Sequence, residues 1–385
     1  MRRGSRLDRT PVSSAAALDQ LLADLLRGEP LDVRAIKAYG SLAIHEAAQQ
    51  HDVVPLIADR LAFAHQLPAD LREHFLEEAH RAAALDLAVE SELRRIHAAF
   101  ERRQVPLLLV KGSHLAYTHY ARPDLRARID SDILIARDAR DVADEIFLAE
   151  LGYQAPTKLS GDFTATQKQY AKWEDEALVH LVDLHWRLAS TQLFAHVLSF
   201  EELLAASEPV PPLGAWARGP STVHALVIAC LHRVAHHHDE AEQFKWLYDI
   251  HLLASELTDA EWDAFAAFVL EREISAVSLE CLLRSSEWFR TRVPLRLRND
   301  ARFADAALRE ATAAYLRVRP KAREVLDDMR ALSSWRERLS LVREHLLPPA
   351  DYMTGVYAPQ SRLPLPLLYA GRLLRGAGGW LRKRG

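Results

Sequence analysis

The chain has 385 residues, of which 49% are hydrophobic, 26% charged and 8% aromatic. This composition excludes a disordered, collagen-like or disulfide-stapled chain and indicates a globular protein of two or three domains. The formal net charge of -4 gives no global electrostatic case for binding duplex nucleic acid, which we do not expect as a partner. Two cysteines, Cys230 and Cys281, are too few for a disulfide framework, and we expect both to be reduced in a cytoplasmic protein.

The N-terminal segment, residues 1–104, is predicted to be helical. Its first residues are basic but lack the apolar stretch of a signal peptide, and no run of about 18 apolar residues in the chain indicates a membrane span. From residue 14 onward, apolar residues recur at helical spacing. We predict four or five helices here, of which the last is long, rich in charge and spans residues 69–103.

The period of the apolar residues changes after residue 104, and residues 105–193 are predicted to form a small α/β core. A continuous apolar run ending at the turn Lys111-Gly112-Ser113 is typical of a buried strand entering a helix. The predicted elements are, in chain order, a strand over 106–110, a helix over 115–120, a strand over 129–135, a helix over 139–151 and a strand over 179–188.

The helical period returns after residue 194 and continues to residue 347, which predicts a C-terminal helical domain. Residues 209–214, rich in proline, are the best candidate for a linker. Residues 348–385 form a tail rich in Pro, Gly and Arg. Its composition is compatible with peripheral membrane contact, but its glycines weaken a continuous helix, and we expect a disordered or docked tail instead.

The acidic pair Asp130 and Asp132 is the most informative feature of the sequence. On a strand, residues i and i+2 point from the same face, so the two carboxylates lie close together. Strand interiors select against Asp, and paired carboxylates supply the oxygen ligands that Mg²⁺ prefers. The alternative is a solvent-exposed strand end or turn.

Two further features give this pair a context. A Gly-Ser turn at a helix N-terminus presents free backbone N–H groups that suit the phosphates of a nucleotide. Asp183 lies inside an apolar run, where an unpaired carboxylate would be costly, and shares a strand face with His185. A third carboxylate on a neighbouring strand would complete a site for two metal ions, although pairing of Asp183 with Arg187 is the structural alternative.

Several stretches of the chain together resemble one protein family. They are Val110-Lys111-Gly112, residues 120–126, residues 130–135, Val182-Asp183-Leu184-His185-Trp186 and residues 245–250. In combination they are similar to the uncharacterised nucleotidyltransferase family of the DNA polymerase β-like nucleotidyltransferase superfamily. The resemblance covers most of the chain.

The resemblance implies an α+β fold, with a small mixed-sheet nucleotidyltransferase core flanked by N-terminal and C-terminal helical regions. It also implies transfer of a nucleoside monophosphate from an NTP to an acceptor, with release of pyrophosphate. Carried over by position, Gly112 and Ser113 would hold the triphosphate, Asp130 and Asp132 would bind two Mg²⁺ ions, and Asp183 would bind the catalytic one. Mn²⁺ is a possible substitute.

Cations near these motifs are candidates for contacting the phosphates. Arg126 and Lys111 carry fixed donors, and we rank Arg126 first because it belongs to the resembling motif. Their alternative role is surface charge at loop ends. The acceptor, which would carry a hydroxyl or a phosphate, is not indicated by any motif.

Histidines in the helical domain leave two further interpretations open. His232 and His236 lie one turn apart and, with Asp249, are candidates for supporting or acceptor contacts, as is His185. Together with His238 and Asp239, the region from His232 to Asp249 also resembles the metal site of a phosphohydrolase. An amphipathic helix with hydrated histidines is the plain alternative, and a non-catalytic nucleotide-binding or partner-binding module on the same fold is a third hypothesis.

Overall fold

The structure is a computed structural model that describes residues 12–155, 165–236, 242–317, 321–348, 350, 353–354 and 363–380. His238, Asp239 and the last five residues of the tail lie outside the described residues. Among the residues searched, no helix is long and apolar enough to cross a membrane. The cytoplasmic location stays a prediction.

The N-terminal region is helical, which confirms the interpretation of its periodic leucines. Its four helices are α1 (Val12–Leu26), α2 (Val33–Gln50), α3 (Val54–Ala62) and α4 (Ala69–Arg102). Apolar side chains of these helices pack in one cluster, which also receives Phe244, Leu247 and Phe289 from the C-terminal region. The two helical regions therefore share a hydrophobic core, and the predicted domain boundaries stay predictions.

A four-stranded mixed sheet lies between the helical regions and confirms the predicted α+β class. Its strands are β1 (Leu107–Leu109), β2 (Ser131–Ile135), β3 (Gln167–Glu174) and β4 (Ala177–His185), in the spatial order β1-β2-β4-β3. β2 and β4 are parallel, whereas β1 and β3 are antiparallel to their neighbours. The sequence predicted three of these strands and missed β3. β3 and β4 form a hairpin whose turn residues, Asp175 and Glu176, both have positive φ.

Helices cover both faces of this sheet. In β1, successive side chains alternate between the two faces. Leu107 and Leu109 join the cluster formed with α4, whereas Leu108 joins the cluster of the C-terminal helices. Helix α5 (Lys111–Thr118) follows β1, and helix α6 (Arg140–Glu145) follows β2 and continues as a π-helical turn over Ile146–Glu150. The turn predicted at Lys111-Gly112-Ser113 is thus the first turn of α5, which begins four residues earlier than expected.

The C-terminal region is helical, as predicted. Its helices are α7 (Phe200–Ala205), α8 (Thr222–His236), α9 (Phe244–Glu256), α10 (Asp259–Glu271), α11 (Ser275–Phe289), α12 (Leu295–Arg298), α13 (Ala301–Arg309), α14 (Lys321–Ala331) and α15 (Trp335–Leu346). The linker predicted at 209–214 is wrong. A small ribbon, β5 (Glu208–Pro209) with β6 (Arg218–Gly219), begins in this segment. Val210 and Leu213 are buried in the cluster that the sheet forms with α4.

The described part of the tail is docked, which is one of the two alternatives expected, but it contains a continuous helix that its glycines are expected to weaken. Leu365–Trp380 forms a helix, α16, despite its glycines. Near its start, Leu368 packs against Met353, and the Tyr369 hydroxyl donates a hydrogen bond to the Pro348 carbonyl. These contacts dock the first part of α16 on the preceding segment and offset the low helix propensity of glycine.

Candidate active site

The candidate site begins where β1 ends and the chain enters α5. Val110 is extended and donates its backbone N–H to the carbonyl of Asp132 at 3.0 Å, which ties this corner to β2. Lys111 adopts a left-handed φ of 52°, which is unfavourable for a non-glycine residue. No described side chain caps α5, and the first N–H groups of a helix lack intrahelical acceptors. This N-terminus is therefore suited to an anionic ligand.

Two carboxylates meet across the parallel strands β2 and β4. Asp132 and Asp183 are paired in register, and His185 follows two residues later on the same face as Asp183. One oxygen or nitrogen atom from each of these three side chains lies within 4.8 Å of the other two. Carboxylates and an imidazole at this spacing form a donor set that fits a divalent cation.

Lys111 contacts this group directly. Its Nζ lies 2.8 Å from Oδ1 of Asp132 and 3.2 Å from Nε2 of His185. The imidazole Nε2 lies 2.8 Å from the same carboxylate oxygen. The side chains of Lys111 and Asp132 are each 14% exposed, so this ion pair lies at an accessible edge rather than in the closed core.

A cavity of about 320 Å³ joins these residues to the C-terminal helices. Among the sequence-predicted site residues, those that line it are Lys111, Gly112, Ser113, Arg126, Asp130, Asp132, Asp183, His232, His236 and Asp249. His185 is 1% exposed and connects to the cavity through Asp132. The fold thus brings the predicted residues of both chain regions to one place.

Arg126 and Asp249 form a buried ion pair inside this cavity wall. Nε and Nη2 of Arg126 donate to the two carboxylate oxygens of Asp249 at 2.8 and 2.7 Å, and the Tyr120 hydroxyl donates to the same carboxylate at 2.8 Å. The guanidinium packs on Gly112, where an added Cβ would lie 2.8 Å from Nη2. The predicted phosphate contact of Arg126 stays a prediction, while its observed partner is Asp249.

A family profile described as uncharacterised nucleotidyltransferase matches residues 42–290. The chain belongs to this nucleotidyltransferase family. The matched range contains the corner at Lys111, the three aspartates and α9, so the resemblance seen in the sequence is confirmed. No curated protein matches the chain. Family membership supports nucleotidyl transfer as its general function, and such enzymes typically use divalent metal ions.

The charges of this candidate site divide its carboxylates into two kinds. Burial, together with the nearby Asp132 and Asp183, raises the pKa of Asp130 to about 6. Burial also acts on Asp132, but Lys111 and His185 outweigh it and hold its pKa well below the usual range. Asp132 is therefore a permanent anion, whereas Asp130 gains or loses its proton near neutral pH.

Serine side chains hold the acidic strand in place on both sides. In front, the Ser113 hydroxyl accepts the backbone N–H of Asp132 at 3.1 Å, so this hydroxyl links α5 to β2. Behind the sheet, Ser131 and Nε2 of His180 lie 2.8 Å apart, and the Tyr153 hydroxyl lies 2.7 Å from Nδ1 of the same ring. The side chain of Ser113 thus has a structural contact, whereas its backbone N–H belongs to the first turn of α5.

Sequence reasoning missed two glutamines of β3. Nε2 of Gln167 and Nε2 of Gln169 donate to the two carboxylate oxygens of Asp183 at 2.5 and 3.1 Å. Both residues point to one face, which is the i, i+2 signal of a strand, but β3 itself was not predicted. Trp246 was noted only as part of the family motif, and the structure places it at the cavity wall.

The phosphohydrolase alternative finds little support in the part of the chain that the structure describes. Within those residues, the only group of three or more possible metal ligands is Asp132, Asp183 and His185. His232 and His236 are adjacent, with ring centroids 4.4 Å apart, but Asp249 is engaged by Arg126 and Tyr120. The helical histidines and Asp249 therefore do not form a metal site among the residues described.

Proposed function

We propose that the chain is a Mg²⁺-dependent nucleotidyltransferase that moves a nucleoside monophosphate from an NTP to an acceptor and releases pyrophosphate. One observation carries this proposal. Asp132 and Asp183 are paired in register across parallel strands, in a cavity that also contains the start of α5. A nucleoside triphosphate with its cation needs two kinds of group. Carboxylates bind the cation, and a helix N-terminus binds the phosphates.

The donor set supports a divalent cation as the cofactor. We assign Asp130, Asp132 and Asp183 as ligands for two ions, because Mg²⁺ prefers oxygen donors and Asp130 lines the same cavity. His185 would orient Asp132 through its 2.8 Å contact. Mn²⁺ would also be accepted, since carboxylate ligands suit it. Bound Mg²⁺ would neutralise triphosphate charge and make an acceptor hydroxyl more acidic.

The chain's own residues would position the reacting groups. Backbone N–H groups of Gly112 and Ser113 would bind phosphate oxygens, and Lys111 would turn from Asp132 to the triphosphate. The acceptor oxygen attacks the α-phosphorus, its bond to phosphorus forms, and the bond to the β-phosphate oxygen breaks. Where the acceptor is a hydroxyl, Asp183 takes its proton, while Gln167 and Gln169 hold that carboxylate in position.

A titration tests this proposal without knowledge of the acceptor. Each NTP is titrated with and without Mg²⁺ into wild type, Asp132→Asn and a control, Asp138→Asn, whose exposed carboxylate lies just beyond the same strand. We expect Mg²⁺-dependent binding in wild type and control and its loss in Asp132→Asn. If no NTP binds wild type in the presence of Mg²⁺, the proposal is wrong.

Turnover separates the enzyme from a binding module on the same fold. The NTP that binds most tightly is incubated with hydroxyl-bearing and phosphate-bearing acceptors, and pyrophosphate release is measured. Release that depends on an acceptor and disappears in Asp132→Asn supports catalysis. Tight binding without release across both acceptor classes would favour the non-catalytic module.

A further inference from the structure

Part of the cavity wall is aromatic. His232 and His236 lie one turn apart on α8, and Trp246 lies on the adjacent α9; these three residues are called the aromatic wall below. The ring centroid of Trp246 lies 6.1 Å from that of His232 and 6.0 Å from that of His236, and the two imidazole centroids are 4.4 Å apart. All three side chains line the cavity that contains the aspartates.

Trp246 lies on the buried face of α9 and also lines the cavity. The indole is 5% exposed, yet Trp246 belongs to none of the hydrophobic clusters formed by the described residues. Its neighbours on α9 divide between two clusters, with Leu247 in one and Ile250 in the other. A large aromatic ring in the lining of a cavity offers apolar contact area to a ligand.

The charge of the aromatic wall suits a neutral ligand group. Burial, Lys111 and His236 together lower the pKa of His232 well below its ordinary value, so its imidazole is uncharged at neutral pH. The rest of the cavity carries the carboxylates and four cations, Lys111, Arg126, Arg128 and Lys245, of which Lys245 is paired with Asp52. One cavity therefore offers charged groups for phosphates with their cation, and an aromatic part that includes the neutral imidazole of His232.

We infer that His232, His236 and Trp246 form the nucleobase subsite of the cavity and stack on the base of the bound NTP. A nucleoside triphosphate has the same division as the cavity, with a polyanion at one end and an uncharged planar ring at the other. Base–aromatic stacking tolerates every base, because each base has a π-face. The inference rests on the proposed function, since it takes the phosphates to lie beside Lys111 and the aspartates.

A ligand without a base makes the inference testable. Inorganic tripolyphosphate and the NTP that binds wild type most tightly are each titrated with Mg²⁺ into wild type, Trp246→Leu and Trp246→Phe. Trp335→Leu is the matched control, because its 68% exposed side chain on α15 is outside the cavity. Thermal unfolding of each variant is recorded alongside.

We expect Trp246→Leu to weaken NTP binding about tenfold, the size of a lost base–aromatic stack, and to leave tripolyphosphate binding unchanged. Trp246→Phe should retain most of the affinity because it keeps a ring. Equal weakening of both ligands, or no weakening of either, would overturn the nucleobase subsite. If neither ligand binds more weakly, Trp246 would contact the acceptor or would only pack against α8.

Two results keep the subsite and the proposed function distinguishable. If wild type binds tripolyphosphate and NTP equally well, the phosphate site stands and the nucleobase subsite is wrong. If wild type binds neither, both proposals are wrong. Should Trp246→Leu fail to fold, His236→Leu and His236→Phe, in the partly exposed last turn of α8, replace it, and only His236→Leu is expected to lose NTP affinity.

Discussion

Two ion pairs meet in the candidate site, and they differ in how firmly each cation is held. Lys111 contacts one oxygen of Asp132, and both side chains are 14% exposed. Arg126 contacts both oxygens of Asp249, both side chains are 7% exposed, and Tyr120 donates a further hydrogen bond. A bidentate guanidinium pair is geometrically specific, whereas a lysine ammonium is a point charge on a flexible stem.

The difference separates a contact that can exchange from one that holds the site together. Asp132 has a partner that can leave when another cation or a phosphate arrives. Asp249 on α9 is joined to Arg126, which packs on Gly112 at the start of α5. We therefore expect changes at the Arg126–Asp249 pair to affect mainly stability, and changes at the Lys111–Asp132 pair to affect mainly ligand binding.

The largest effect is expected for Asp249→Asn. This substitution leaves the buried Arg126 charge without its partner, which costs about 3–5 kcal/mol when one member of a buried pair is removed. Urea unfolding measures the loss in free energy of unfolding. Asp263→Asn, which removes an exposed partner of Arg296, is the control and should change that free energy little. A similar loss in both variants would contradict the comparison.

Gly112→Ala tests the Arg126–Asp249 pair through the residue on which the guanidinium packs. The added Cβ would lie 2.8 Å from Nη2 of Arg126, whose position is held by Asp249, so we expect a loss of about 1–3 kcal/mol, as for other overpacked sites. The same change in an Arg126→Lys background should cost less, because the planar guanidinium is gone. A double-mutant cycle measures this coupling, and additive effects would show that the guanidinium does not restrict residue 112.

Lys111→Met tests the Lys111–Asp132 pair, whose contact can exchange. We expect NTP affinity to fall about tenfold, the effect of one charge-assisted hydrogen bond, while affinity for Mg²⁺ alone rises because Asp132 loses a competing cation. Calorimetric titration measures both. Lys168→Met removes a lysine that pairs with Asp144 and should change neither affinity. A parallel fall in both affinities would mean that Lys111 supports the carboxylates instead of competing for them.

The last effect is a pH dependence at Asp130. Its pKa in the folded chain, about 6, lies above the ordinary value, so the folded state resists ionisation and the charge destabilises the fold as pH rises. Asp130→Asn should therefore be more stable than wild type by an amount that grows between about pH 4 and pH 6 and is constant above that. Urea unfolding across this range measures it, and a pH-independent difference would contradict the assigned pKa.

The sequence predicts most of the fold because most elements carry a regular apolar pattern. β1, β2 and β4 contain continuous or alternating apolar residues, and α1 to α4 carry apolar residues at helical spacing. β3 does not, since it opens with Gln167, Lys168 and Gln169. Lys172 is buried in β3 only because its Nζ pairs with Glu92 at 2.9 Å, and that partner lies 80 residues away on α4. A pairing of this kind exists only in the folded chain.

The residues of the candidate site also divide into those that the sequence predicts and those that only the folded chain reveals. The aspartates of β2 and β4 were readable, since carboxylates are unusual in strands. The burial of Asp249 is also readable, because it shares the helix face of Trp246, Ile250 and Leu253, where a charge needs a partner. The identity of that partner, Arg126, could not be read from sequence spacing.

The pairing of β2 with β4 makes the site depend on a single alignment of two strands. Asp132 opposes Asp183 at one register, and Ser131 contacts His180 behind the sheet at the same register. A slip of one residue would turn Asp132 to the face where Ser131 now lies and would separate the carboxylates by the thickness of the sheet. Such a slip would abolish the site with every one of its residues still present, so inactivating substitutions are expected behind the sheet, at Ser131 and His180, as well as in the cavity.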